Sequence, residues 1–276
     1  MKSFNLKLIL PLLAGVIIAA LLSFSNQPKE FQGRAIYIAK SKMDLGTWGA
    51  RMSEEQKKQV KARLKNRLNK VYILDFNKEA SVFDEKEKLD AISGATDSWG
   101  KNFARGKQYK NVKDNQLVQS QEFYGKRFLV KDELEDINWQ LGKESKQVGN
   151  YTCFKAVATI PTQNLEWYNF SWGELRKPEP KEGEVPEIEM TTVEAWYTPQ
   201  IPVSHGPAEY WGLPGLILEV SFGDTVMLCS EIQMSPEDDF QIEAPDKGKE
   251  ITKTEYKETI IEKMSEMMNN RGRRRG

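Results

Sequence analysis

One histidine stands among 276 residues, and that single count bounds the chemistry open to the chain. It is His205, so any site needing two imidazoles is excluded, the H-E-x-x-H zinc enzymes among them. A serine hydrolase would have to use His205 beside Ser204 and Gly206-Pro207, yet no G-x-S-x-G elbow accompanies it. Glycines 94, 100 and 106, with Lys101 and Lys107, come close to a phosphate cradle. Each has five residues between its glycines where four are needed, and Asn102 and Gln108 follow the lysines in place of the magnesium-binding hydroxyl. There is no calcium loop of the Asp-x-Asp-x-Asp-Gly type. Forty carboxylates could supply acid–base pairs, but their spacing isolates none. The residues imply no catalytic group, no metal and no cofactor.

Two cysteines remain, Cys153 and Cys229, each inside a strand-like run. In an oxidising compartment an even count points to a bridge between them. Such a bridge would stabilise the chain by about 4 kcal/mol. Two buried thiols that never meet are the alternative.

The compartment is written at the amino terminus. Lys2 and Lys7 precede an uncharged stretch at 8–24, followed by Ser23-Phe24-Ser25, the layout of a secretory signal over 1–25. The stretch is long for a signal and short for a spanning helix, so cleavage and retention as an anchor both stay open. Either way the rest of the chain is expected to be exported to the periplasm or envelope. Lys plus Arg equals Asp plus Glu, 40 each, so no overall field argues for nucleic acid.

The elements that must position any site are mostly short strands. A first strand is expected at 31–40. A helix follows at 53–68, opened by a Ser53–Gln56 capping box, with Val60, Leu64 and Leu68 as a narrow stripe and a basic face that reads as solvated. From Val71 the apolar period moves towards two, with Tyr124-Gly125 and Phe222-Gly223 marking tight turns. Short connections imply antiparallel pairing. The expected fold is therefore α+β and sheet-dominated. It is one curved antiparallel meander over 26–268, flanked by an amino-terminal helix and a carboxy-terminal one at 251–268. Residues 90–108 read as a long loop, 173–189 as a mobile Pro/Glu-rich segment, and 269–276 as an Arg/Gly-rich disordered tail.

Backbone-special residues crowd at 199–215. Pro199, Pro202 and Pro207 forbid ladder pairing, and Gly206 and Gly212 punctuate an extended loop. Leu213-Pro214-Gly215-Leu216 has the residues of a type II turn, launching a strand with Leu216, Leu218 and Val220 on one face. Aromatic residues flank it. Trp196, Tyr197, Tyr210 and Trp211, with Trp167 and Trp172 from W-Y-N-F-S-W, form a candidate binding surface whose bland alternative is core packing.

The stretch A-W-Y-T-P-Q-I-P-V-S-H-G-P-A-E-Y-W-G-L-P-G-L-I-L-E-V resembles the signature of the GLPGLI family. L-D-F-N-K-E-A-S-V-F, Y-G-K-R-F-L-V-K-D and W-Q-L-G-K-E-S-K-Q-V-G-N-Y-T-C-F-K-A are similar to it as well. The resemblance implies an exported protein typical of Bacteroidota, without an assigned activity. Its genes are often near outer-membrane TonB-dependent receptors. Three readings follow. The first is a non-enzymatic envelope protein binding an apolar ligand or a partner. The second is an accessory subunit of an outer-membrane receptor. The third is a carboxylate-based hydrolase of envelope polymers. Membrane contact is expected only through the amino-terminal segment, if it is retained.

Overall fold

The structure, a computed structural model, describes residues 31–42, 49–86, 103–165, 167–170, 175, 188–235 and 241–273. The chain divides into Met1–Phe31 and Gln32–Gly276, and the described residues belong almost wholly to the second unit. The expected signal at 1–25, most of the glycine-rich loop, most of 173–189 and Trp172 lie outside them.

Twelve strands form one open sheet: β1 (Gln32–Ser41), β2 (Asn69–Asn77), β3 (Ala80–Glu85), β4 (Gln108–Asn111), β5 (Gln116–Phe123), β6 (Lys126–Glu133), β7 (Gln140–Val148), β8 (Tyr151–Pro161), β9 (Met190–Thr198), β10 (Leu216–Phe222), β11 (Thr225–Met234) and β12 (Lys249–Ile251). Helices α1 (Glu54–Leu68), α2 (Thr162–Leu165) and α3 (Lys253–Arg273) complete it. The order across the sheet is β12-β6-β5-β4-β3-β2-β1-β11-β10-β9-β8-β7. Two meanders, β1 to β6 and β7 to β11, are therefore joined along the β1–β11 ladder. The expected all-antiparallel pattern needs one correction, because β12 lies parallel to β6.

The connections require a curled sheet. Residues 134–139 carry the chain from β6 to β7, ten strand positions away. Laid flat, that is about 48 Å at ~4.8 Å per strand. Seven extended steps reach at most about 25 Å. The two halves must therefore bend towards each other, and bulges at Ile36/Tyr37, Ile217/Glu219 and Leu141/Ser145 supply local bends.

The enclosed face carries Ala35, Tyr37, Leu74, Phe76 and Phe83, all fully buried. Tyr72 stacks on Phe83 at 4.8 Å between centroids. At the β6 end, α3 lays Tyr256, Ile260 and Met264, one turn apart, against Phe123, Phe128, Val130 and Trp167. Both long helices open on capping boxes. Ser53 N donates to Gln56 Oε1 at 2.9 Å while Gln56 N donates to Ser53 Oγ. Thr252 N donates to Glu255 Oε2 at 2.8 Å and Glu255 N to Thr252 Oγ1. Helix α3 continues to Arg273, past the apolar repeat that ends at Met268, so the tail expected to be disordered from 269 is helical that far. Helix α1 turns Val60 and Leu68 of its expected stripe to half-buried positions, while the side chain of Leu64 lies outside the described ones.

Candidate functional site

Lys110 on β4 sits at the centre of the enclosed face with 1% exposure. Its Nζ donates to the backbone oxygens of Gly206, Ala208 and Tyr210 at 2.8, 2.6 and 3.0 Å. These acceptors match the three N–H bonds of an ammonium. Burial pushes the Lys110 pKa down to about 7, with Arg105 adding to the fall and Glu209 opposing it. Three carbonyl dipoles around Nζ hold the proton as well, and they decide for the charged form. The loop between β9 and β10 is thereby drawn across the sheet interior.

A buried ion pair fixes the next residues. Arg105 Nη1 donates to Glu209 Oε2, and both side chains are under a tenth exposed. Glu209 Oε1 also accepts from Gln108 Nε2 at 3.2 Å and Trp167 Nε1 at 3.3 Å. Arg105 Nη2 donates to the Tyr168 hydroxyl at 2.9 Å. Burial works against the Arg105 cation, but Glu209, Tyr168 and Tyr72 outweigh it and its pKa rises. A buried carboxylate with three donors is a satisfied structural group.

His205 is fully buried against Phe76, at 6.4 Å between rings. Its nitrogens make no well-aligned hydrogen bond, and the Asn77 backbone is the polar group beside them. Burial first, then Lys110, pushes its pKa down to about 3. A neutral imidazole sealed from solvent can neither relay protons to a substrate nor bind a metal that must enter from outside. Among the described residues, no group of three His, Cys, Asp or Glu is placed to hold a metal ion.

The proline and glycine positions serve the same loop. Gly212 N donates to Ser204 O, Leu216 N to Ile201 O and Ile217 N to His205 O, each at 3.0 Å. The loop therefore pairs with the start of β10. The expected type II turn does not form, because Gly215 N instead bonds Leu213 O at 2.8 Å and Gly215 lies at φ 158°. A Cβ there would stand 2.3 Å from Thr198 O, so this glycine permits two backbones to touch. Gly206 is likewise closed in, by Ile217 and Tyr210 O. Pro199, Pro202 and Pro214 face solvent, while Pro207 and Leu213 are buried. The bulge at Ile217/Glu219 breaks the expected alternation, so Leu216, Ile217 and Leu218 are all buried.

Among the described residues, the aromatic surface expected from sequence is not formed. Trp167, Trp196, Tyr197 and Tyr210 are each at most 7% exposed. Trp196 lies under Lys146, 4.3 Å from its ring, and Tyr210 packs on Phe222. Only Trp211 is half exposed, and its Nε1 donates to Glu135 O at 2.8 Å. The expected Cys153–Cys229 bridge is absent too. Both thiols are free and buried, with β9 and β10 between their strands. Cys153 neighbours Lys146 and Glu219 and Cys229 neighbours Tyr37, and the two thiols stand near enough for Cys153 to act on Cys229 electrostatically without a bond between them.

Sequence reasoning missed a large cleft among the described residues. It measures about 750 Å³ and lies where the β6–β7 connection meets α2 and α3. Carboxylates of Asp132, Glu133, Glu135, Asp136 and Glu258 line it, with Lys253 and Lys257 opposite in charge, and Trp167 contributes to its wall. Two of the acids are also structural. Asp132 Oδ2 accepts from Lys253 N at the start of α3, and Glu135 Oε1 from Asn164 Nδ2. The acidic run Asp132–Asp136 was the available signal, but its partners on α2 and α3 are distant in sequence.

A family model described as "Protein of unknown function (Porph_ging)" matches residues 139–219. That segment holds β7, β8, β9 and the interior loop. No curated protein matches the chain. Among solved structures, PNGF-II in a C2 crystal form shares 15% identity at a TM-score of 0.49, over 83% of this chain and 32% of that one. The same protein in a P21 form gives 0.48 at the same identity. This chain thus spans about a third of the length of PNGF-II, and a likeness at that level carries no argument about activity.

Proposed function

We propose that the chain is an exported, non-enzymatic binding protein of the cell envelope, of the GLPGLI type, whose surface cleft takes a polar ligand or a segment of a partner. The carrying observation is how the concave side of the sheet is used. Among the described residues, His205, Glu209 and Tyr210 fill it from within, held by Lys110, which leaves that side to the protein's own side chains. The cleft is lined mainly by charged and amide side chains, which suits a polar occupant. Export rests on the basic, apolar, then small-residue pattern of 1–25. A docked partner in the envelope would agree with the accessory-subunit reading.

Mild-detergent recovery from the envelope, with cross-linking and mass spectrometry, tests this. The expected result is a polar ligand or protein cross-linked through Lys253 or Lys257. Stoichiometric lipid with no partner, or recovery from the cytoplasm, overturns it.

One observation favours a second reading, a hydrolase of envelope polymers: acidic residues line the cleft from three elements, Glu258 from α3, Glu133 from the end of β6 and Asp136 from the connection. Such an enzyme needs an acid and a partner carboxylate flanking the scissile bond. Turnover of envelope glycan that disappears in Glu258→Gln would establish it. Unchanged affinity and no turnover in either protein favours binding alone.

A further inference from the structure

Helix α1 lies against β1 and β2 with Val60 and Leu68 half-buried, and it exposes Glu54, Glu55, Gln56, Lys58, Gln59 and Ala62. Its charge says what could meet that exposed side. Along Glu54–Leu68 the sequence has six basic residues and only two acids, Glu54 and Glu55. Four of the six are lysines, point charges without the planar fork that suits a defined carboxylate pocket.

A second feature adjoins it. Helix α1 ends at Leu68, and β2 begins at Asn69, which pairs with Lys40, while Val71 pairs with Ile38. Ile38 in turn pairs with Leu228 of β11, and Lys40 with Val226. These positions share the outward face of the sheet. Ile38, Val226 and Leu228 are 36%, 37% and 41% exposed. Aliphatic side chains in water, edged by Lys40 and continued by a basic helix, are the two components of peripheral membrane binding.

We infer that α1 and the Ile38–Val226–Leu228 patch together dock on an anionic lipid surface. Basic residues recur along the whole sequence of the helix and the apolar part is shallow, which fits a diffuse field of phosphate headgroups better than one acidic protein. This docking is independent of what occupies the polar cleft, and it differs from anchoring by the amino-terminal segment. Among the described residues no helix is long and apolar enough to cross a membrane.

Hydrogen exchange of the full chain, with and without vesicles, separates these contacts. With phosphatidylglycerol-containing vesicles, amides of 54–68 should exchange at least about tenfold more slowly, and pure phosphatidylcholine should leave them unchanged. Lys57→Gln with Lys58→Gln should weaken the α1-dependent partitioning on the order of 25-fold, from about fivefold per charge removed. Leu228→Ser, at an exposed position, should weaken it at unchanged thermal stability. High salt should reverse the protection. Vesicle binding without protection of α1 assigns the membrane contact to the amino terminus and overturns the inference. Protection appearing with envelope proteins but not with vesicles overturns it in favour of a protein partner.

Discussion

His205 is neutral because it is buried, and it can gain a proton only as the interior opens. Its folded pKa is about 3 against an ordinary value near 6.5. The folded state therefore binds fewer protons than the unfolded one between those values. The stability this represents is fully present above about pH 6.5 and is lost as pH falls towards 3. The slope should be about 1.4 kcal/mol per pH unit over the middle of that window. Because the chain has one histidine, urea titrations between about pH 6.5 and 4.5 isolate it from the carboxylates. His205→Gln should flatten the profile there, and a slope that survives the substitution places the proton elsewhere. Gly215 is a second residue-scale case. Alanine there would meet Thr198 O as well as adopt a positive φ, whereas Gly125, at φ 76°, has nothing within 4 Å of a Cβ. Gly215→Ala should cost about 3 kcal/mol and Gly125→Ala about 1 kcal/mol, read from urea midpoints.

At the scale of elements, the interior loop hangs on Lys110. Lys110→Met keeps the length of the side chain but strips three buried carbonyl oxygens of a shared donor, a loss on the order of 3 kcal/mol. The amides of Gly212 and Ile217, bonded to loop carbonyls of Ser204 and His205, should then exchange much faster than those of β1. Unchanged exchange would show the loop held by apolar packing alone. This dependence also explains what the sequence could convey. Helix starts at Ser53 and Thr252 were legible because a capping box is local. Most strands were legible because one face is apolar. Strand β4 went unread, with only Gln108 falling at the end of the expected loop, because its inward residues are Gln108 and Lys110, polar side chains whose partners lie about 100 residues away. Strand β7 was invisible for the opposite reason, as it is exposed along nearly its whole length and shows no alternation. The aromatic residues were conspicuous by type, but type does not say which face of a bulged strand they take.

For the whole molecule, the β1–β11 ladder is the seam between two meanders, and the cysteines report on it. Cys229 lies in that ladder, paired with Tyr37, while Cys153 sits on β8, three strands away. Burial pushes the Cys153 thiol up to about 11 and the Cys229 thiol up to about 12, so neither supplies thiolate at neutral pH. Both should resist thiol reagents until the chain opens. If the meanders were separate folding units, the seam would part first and Cys229 would label ahead of Cys153. The structure argues against that order. Tyr37 donates to Ile217 O at 2.6 Å, tying the first meander to β10, and Lys110 and Arg105 tie it to the loop before β10. Parting the seam would therefore strip these buried bonds at once, leaving Lys110 and Glu209 without partners in a dry interior. Pulsed alkylation across a urea gradient should show both cysteines labelling at one midpoint, coincident with loss of far-ultraviolet dichroism. Earlier labelling of Cys229 alone would mean that the interior contacts are weaker than the ladder they reinforce.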